Sequence, residues 1–277
     1  MAVKTILITG CSTGIGYACA VGLRKRGWRV FAAARKPDDC ARLKAEGFDS
    51  PLLDYDDTDT ITAALKEVLA QTGGTLDALF NNGAYAIPGA VEDVPTDALR
   101  AIFESNFFGW HELTRQVIPV MRAQGHGRIV QCSSVLGFVS APWRGAYNAT
   151  KYALEALTDT LRMEMRDTPI DVILIEPGQI TSDFRTNARR QFEHWIDWQS
   201  SPRRTQYETS LIKRLQKAAA TKDRFELPPD AVLTKLVHAL ESTHPRPRYL
   251  VTIPTHLIAV LRRILPTRAI DWVMTRG

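Results

Sequence analysis

The segment Thr9-Gly10-Cys11-Ser12-Thr13-Gly14-Ile15-Gly16 constrains this chain more than any other. It follows a β-branched run at residues 4–9 and precedes an amphipathic stretch at 15–26 that stops at Gly27. Between a strand and a helix, three glycines have distinct uses. Gly10 permits a tight turn, Gly14 lets a ligand approach the backbone, and Gly16 lets the helix pack closely on the sheet. The helix N-terminus then offers free N–H groups and positive partial charge, which suit a pyrophosphate. Gly10, Ser12, Thr13, Gly14, Ile15 and Gly16 are therefore the phosphate-loop candidates, with an ordinary tight turn as the competing reading.

Beyond that loop the chain alternates between two periodicities. Strands are predicted at residues 28–34, 50–54, 76–81, 127–133 and 171–176, and helices at 37–46, 58–71, 96–122 and 147–166. Strands interleaved with helices at this spacing imply βαβ units and a mainly parallel sheet. The fold class is thus α/β, a Rossmann-type doubly wound parallel sheet in one domain spanning 1–277. Residues 1–182 form its core, 183–228 a polar, aromatic helical cover or substrate lid, and 229–277 a helix (229–241), a last strand (249–251) and an amphipathic tail (254–274).

Composition narrows the function. The chain has 277 residues with 45% hydrophobic content, which fits a globular protein and excludes a disordered one. No apolar run reaches the ~18 residues of a membrane span, and the short N-terminal run lacks the features of a signal peptide. The four cysteines have neither disulfide-scaffold nor metal spacing, so no metal and a reducing, cytoplasmic setting are expected. The formal net charge of +5 is unevenly placed. Residues 1–184 carry 18 basic and 22 acidic side chains, and residues 185–277 carry 17 and 8.

The end of the second strand reads Ala33-Ala34-Arg35-Lys36. A site for NAD places a carboxylate there to hold the ribose 2′-hydroxyl. Two cations in its place suit a 2′-phosphate, which favours NADP(H); a solvated strand end is the bland reading. Asp54 either accepts from an adenine amine or caps the next helix.

Tyr147 and Lys151 lie at i and i+4, on one face of a predicted helix. Ser133 and Ser134 end the strand before it, and Asn106 lies in the preceding long helix. In order along residues 1–182, the glycine loop, Asn81-Asn82-Gly83-Ala84, Asn106, Ser134, Tyr147, Lys151 and Pro177-Gly178 resemble the classical short-chain dehydrogenase/reductase family. The loop together with Ala34-Arg35 looks most like the branch containing 17-beta-hydroxysteroid and retinol dehydrogenases.

The resemblance implies hydride transfer between NADP(H) and an apolar carbonyl or alcohol. Tyr147 would exchange the proton, its pKa lowered by the Lys151 ammonium and by the positive nicotinamide of the oxidised cofactor, and Lys151 would also hold the nicotinamide ribose. Ser134 would hold the substrate oxygen, and Asn106 a water leading from Lys151 to solvent. Asn82 and Gly83 would border the adenosine, and Pro177, Gly178, Ile180 and Ser182 the nicotinamide, with Ser12 helping to bind the 2′-phosphate. The family usually reads Asn-Asn-Ala-Gly where this chain has Asn81-Asn82-Gly83-Ala84, so backbone contacts there are expected to differ slightly. A homodimer or homotetramer built on the helices at 96–122 and 147–166 is also implied.

Two other classes compete. One is a non-catalytic NADP(H)-sensing or scaffold protein, which has no need of Tyr147 and Lys151. The other is a nucleic-acid or membrane-surface protein carried by the basic last third. Arg189, Arg190, Arg203, Arg204, Lys213 and Arg214 interleave with aromatics, so they read as the solvated face of the cover and no nucleic-acid partner is expected. The tail either packs on the domain or a partner subunit, or dips an apolar face into a bilayer surface beside Arg262, Arg263 and Arg268.

Overall fold

The apolar runs become strands because both of their faces are covered. In a computed structural model that describes residues 3–216 and 223–276, β1 is Thr5–Ile8, β2 Arg29–Ala32, β3 Ala78–Asn81, β4 Gly127–Cys132, β5 Ile170–Pro177 and β6 Arg248–Val251. Every residue of β1 and β3 is buried. Continuous rather than alternating burial is what a parallel sheet with helices on both sides requires. The six strands are wholly parallel in the order β2-β1-β3-β4-β5-β6. The order reverses between β1 and β3, and in such sheets ligands bind at the carboxyl ends of the strands at that point.

Twelve helices are described. They are α1 (Gly14–Lys25), α2 (Pro37–Ala45), α3 (Thr58–Thr72), α4 (Thr96–Phe103), α5 (Gly109–Gln124), α6 (Gly145–Glu164), α7 (Phe184–Trp195), α8 (Arg204–Gln206), α9 (Ile212–Gln216), α10 (Asp230–Glu241), α11 (Ile253–Ile264) and α12 (Thr267–Arg276). Leu23, Phe31, Ile61, Phe80, Trp110, Val117, Val130 and Leu236 anchor the main core on the two sheet faces. Gly22 of α1 shows how tight this is: a Cβ there would come within 2.1 Å of Leu233 on α10.

Two predicted elements form differently. Residues 50–54 are not a regular strand and meet the sheet edge through the isolated bridges Phe31–Asp49 and Ala34–Leu52, with the Ser50 hydroxyl donating to the Ala32 carbonyl (2.7 Å). Pro51 lies in their middle and has no N–H to give, so the ladder cannot continue. The helix expected over 96–122 is interrupted by a π turn, Glu104–Phe108, which carries Asn106. Such one-turn widenings are frequent at functional sites.

The cover expected over 183–228 is built from α7, α8, a π turn at Tyr207–Leu211, and α9; residues 217–222 lie outside the described residues. Its inner side makes a second apolar cluster with Ile87, Ile102, Ala146, Tyr147, Phe192, Ile196, Tyr207 and Leu211. The Tyr207 hydroxyl pins it, donating to Asp93 Oδ2 (2.8 Å) and accepting from the Ala90 N–H (2.8 Å). Trp195 and Trp198 pack against this cluster, half-buried.

Candidate active site

The glycine loop turns where positive φ is needed. Gly10 has φ +66° and Gly14 φ +62°, conformations that side chains rarely adopt. Space demands glycine as well. A Cβ on Gly16 would lie 2.3 Å from the Gly10 carbonyl oxygen, and one on Gly10 would lie 2.5 Å from Gly83 Cα. β1 and β3 thus bring their loops into direct backbone contact. Thr9 Oγ1 accepts from the N–H groups of Asn82 (2.9 Å) and Gly83 (3.3 Å), and Asn82 Nδ2 donates to Thr9 O (3.0 Å). Glycine at 83, where the family usually has alanine, loosens this contact, since a Cβ there would meet Gly10 at 3.3 Å.

Thr13 precedes α1 in an extended conformation and makes no side-chain cap, so the first N–H groups of that helix have no side-chain partner. Arg42 reaches in to donate to the Ser12 carbonyl (2.6 Å). Arg35 and Lys36 are exposed at the end of β2, and the Arg35 charge is felt by Asp56 and Tyr85. Asp54 does not cap α3; Asp57 does, accepting from the N–H groups of Asp59 and Thr60. The Asp54 carboxylate instead accepts from the Asp56 N–H (3.2 Å). Cys11 is fully buried and burial pushes its thiol well up, so it is no reactive thiolate.

On the opposite side of the loop, Pro177 and Gly178 end β5. A Cβ on Gly178 would clash with the hydroxyls of Thr252 (2.3 Å) and Thr255 (2.6 Å). Ile180 bridges to Leu227, and the Ser182 side chain lies 3.0 Å from where a Gly14 Cβ would be, so the start of the cover abuts the glycine loop. Among the described residues the buried Thr181 Oγ1 has no partner. Neither pattern nor spacing singled it out, because an unpartnered hydroxyl is visible only in three dimensions.

Tyr147 lies in the first turn of α6 beneath the cover, buried against Phe184 at 5.5 Å between ring centroids. Burial pushes its hydroxyl well up, Cys132 adds to this, and Ser134 and the charge of Arg144 pull it down. Ser134, rather than Ser133, is the serine that acts on Tyr147; its Oγ accepts from the Leu136 N–H (3.1 Å). Ser133 Oγ is buried without a partner.

The Lys151 ammonium donates to the Cys132 carbonyl (2.8 Å) and sits 4.2 Å over the Trp110 ring, with the Tyr147 ring centroid 5.7 Å away. Burial pulls its own pKa down to about 8, against the pull of Cys132 and Glu155.

Asn106 is held from both ends of its side-chain amide. Its amide is spent on Tyr85, accepting from the N–H (3.1 Å) and donating to the carbonyl (2.8 Å), with Thr150 Oγ1 at 3.4 Å. The π turn turns this side chain inward, where the two main-chain groups of Tyr85 satisfy it.

These residues fit a dinucleotide. The uncapped helix start and the two positive-φ glycines follow β1, the exposed cations at 35–36 follow β2 and the Thr181 hydroxyl follows β5, all beyond the carboxyl ends of the strands. A short chain dehydrogenase model matches residues 4–193, and the chain belongs to the classical short-chain dehydrogenase/reductase family. An uncharacterised oxidoreductase, YbbO, of Escherichia coli is 40% identical over 271 residues, covering 98% of this chain and 94% of that protein. An NADPH-dependent 3-dehydrocapnine reductase of Ornithobacterium rhinotracheale is 29% identical, covering 96% and 94%. Among solved structures, a short chain dehydrogenase/reductase of Burkholderia phymatum in complex with NAD superposes with a TM-score of 0.79 at 25% identity, covering 95% of this chain and 92% of that one. The chain is thus a nucleotide-binding oxidoreductase of this family with a Rossmann fold, and among the described residues no helix is long and apolar enough to cross a membrane.

Proposed function

We propose that this oxidoreductase uses NADP(H) to interconvert an apolar ketone or aldehyde and its alcohol. The observation that carries the reading is Tyr147 with Ser134 near it, buried under an aromatic cover one helical turn from a buried Lys151. Arg35 and Lys36 support the choice of NADP(H), standing where a carboxylate would select NAD. The loop at Gly10, Ser12, Thr13, Gly14, Ile15 and Gly16 would hold the pyrophosphate. Asp54, Asn82 and Gly83 would border the adenosine, and Pro177, Gly178, Ile180, Thr181 and Ser182 the nicotinamide.

When bound, the nucleotide supplies or accepts the hydride. Tyr147 Oη holds the proton and gives it to the carbonyl oxygen during reduction, while Ser134 holds that same oxygen in place. The high pKa of the Tyr147 hydroxyl keeps it protonated until a positive charge arrives beside it. Lys151, anchored on the Cys132 carbonyl, faces the ribose side, and Asn106 holds the Tyr85 backbone that walls the crevice. The cover excludes water with Phe184, Phe192 and Tyr207. Four buried, unpaired cysteines support a cytoplasmic setting, and the exposed Phe108 and Leu157 support a homo-oligomer formed along α5 and α6.

The test is a panel of aldehydes and ketones assayed with NADPH and NADH side by side, for the protein and for Tyr147→Phe. Turnover that prefers NADPH and disappears in Tyr147→Phe, with nucleotide binding kept, is the expected result. No turnover with any carbonyl would sink the reading.

A further inference from the structure

One face of α11 lies uncovered. Ile253, Leu257, Val260 and Ile264 are 74%, 59%, 58% and 68% exposed. At 3.6 residues per turn their spacing places all four within an arc of about 60°. The opposite side, with Thr255 and Ile258, is buried against the domain, and Arg262 lies over the Tyr152 ring of α6 at 5.7 Å. The stripe is therefore the outward face of a docked helix, not a core face that slipped. Four large aliphatic side chains in one unbroken row are more than the scattered apolar residues every surface carries.

The charges beside the stripe are of one sign. His256 and Arg263 flank it, Arg268 opens the next helix, and all three are exposed. No acidic residue occurs between Glu241 and Asp271. A helix with an aliphatic face and a purely basic margin is the pattern that lies flat in the headgroup region of an anionic bilayer. A second copy of the chain fits less well. A two-fold contact sets a patch against itself, and α11 has no carboxylate to receive its own cations.

We propose that α11 seats the protein on an anionic lipid surface. The first turn of α11 also packs on the strand end that carries the site, because Thr252 and Thr255 fill the space beside Gly178. A protein seated this way holds its cleft at the edge of the lipid, where apolar molecules concentrate. The lipid contact goes beyond the proposed function and does not depend on it.

The experiment sediments the full-length protein with vesicles of phosphatidylcholine alone and of phosphatidylcholine mixed with phosphatidylglycerol. The protein is expected to pellet with the mixed vesicles about tenfold more than with the neutral ones, and less so in high salt. The double variant L257S/V260S should keep the parent's urea midpoint and lose about tenfold or more of this binding. The single variant R263Q, at an exposed position, should weaken binding to the mixed vesicles several-fold. Protein that stays in the supernatant with both vesicle types overturns the proposal, as does equal pelleting with the two. A dimer in sedimentation velocity that L257S/V260S dissolves, without vesicle binding, assigns the face to a second copy instead.

Discussion

Lys151→Met should make the protein more stable while removing its turnover. Lys151 is 1% exposed, and burial draws its pKa from 10.5 to about 8. A shift of that size, at about 1.4 kcal/mol for each pKa unit, is a cost near 3 kcal/mol for holding the ammonium inside the fold. Below pH 8 the lysine is charged in both states and the folded chain bears the full cost. Between pH 8 and 10.5 the folded lysine is neutral while the unfolded one is protonated. The unfolded state then binds more protons, so stability rises with pH through this window. Methionine keeps the length of the side chain without its charge, but the Cys132 carbonyl loses its 2.8 Å donor. That loss costs about 1 kcal/mol. The net gain at pH 7 is about 2 kcal/mol, or roughly 4–8 °C in Tm for a chain of this size. Most of it should be gone by pH 10. Urea unfolding of both proteins at pH 7 and pH 10, with NADPH turnover on the same preparations, makes the comparison. A variant less stable than its parent at pH 7, or a difference that ignores pH, would refute the assignment of a strained buried ammonium.

Three further perturbations have defined outcomes. Gly16→Ala drives a Cβ to 2.3 Å from the Gly10 carbonyl, which cannot yield without moving the loop, so about 1–3 kcal/mol of stability and most NADPH affinity should go, measured by denaturation and fluorescence titration. Arg35→Asp replaces the cation with the carboxylate of an NAD-type site, and the ratio of kcat/KM for NADPH to that for NADH should fall about tenfold or more. An unchanged ratio would remove the argument for the 2′-phosphate. Arg248 bonds Glu155, Glu176 and Asp159 together, and Glu176 is nonetheless raised to about 8, chiefly by burial and then by Glu155. A carboxyl raised in this way contributes stability that is present below its ordinary value near 4.5 and lost as pH climbs through about 8. Arg248→Met should therefore cost about 3 kcal/mol at pH 8 and clearly less at pH 5, read from urea midpoints at both.

The legible parts were those whose cause is local. A strand buried on both faces reads as an apolar run, a helix as a period near 3.6, and glycines between them as a forced turn, so the α/β fold, the loop at Gly10 to Gly16 and the Tyr147–Lys151 face all stood in the sequence. Elements failed where one residue outweighed its neighbours. Pro51 stopped a strand that the surrounding apolar residues favoured, and the turn at Glu104–Phe108 widened a helix whose periodicity gave no sign of it. Asp54 and Asp57 are equal as capping residues in composition, and only the path of the chain decided that Asp57 would cap α3.

The sequence by itself determined which chemical groups are present and in what order, because helix and strand periods place them on faces without any tertiary contact. What the groups do to one another was decided by distance through the folded interior. Lys151 and Tyr147 share a helix face, and the fold decided that the ammonium rests on the Cys132 carbonyl and the Trp110 ring. Asn106 lies in the right helix, yet its amide closed on Tyr85. The tail is amphipathic in any conformation, but the fold alone chose to bury Ile258 and leave Leu257 bare. Spacing along a chain fixes direction to within a helix face; burial and hydrogen-bond partners arrive from segments far away in sequence, and those set charge, reach and exposure.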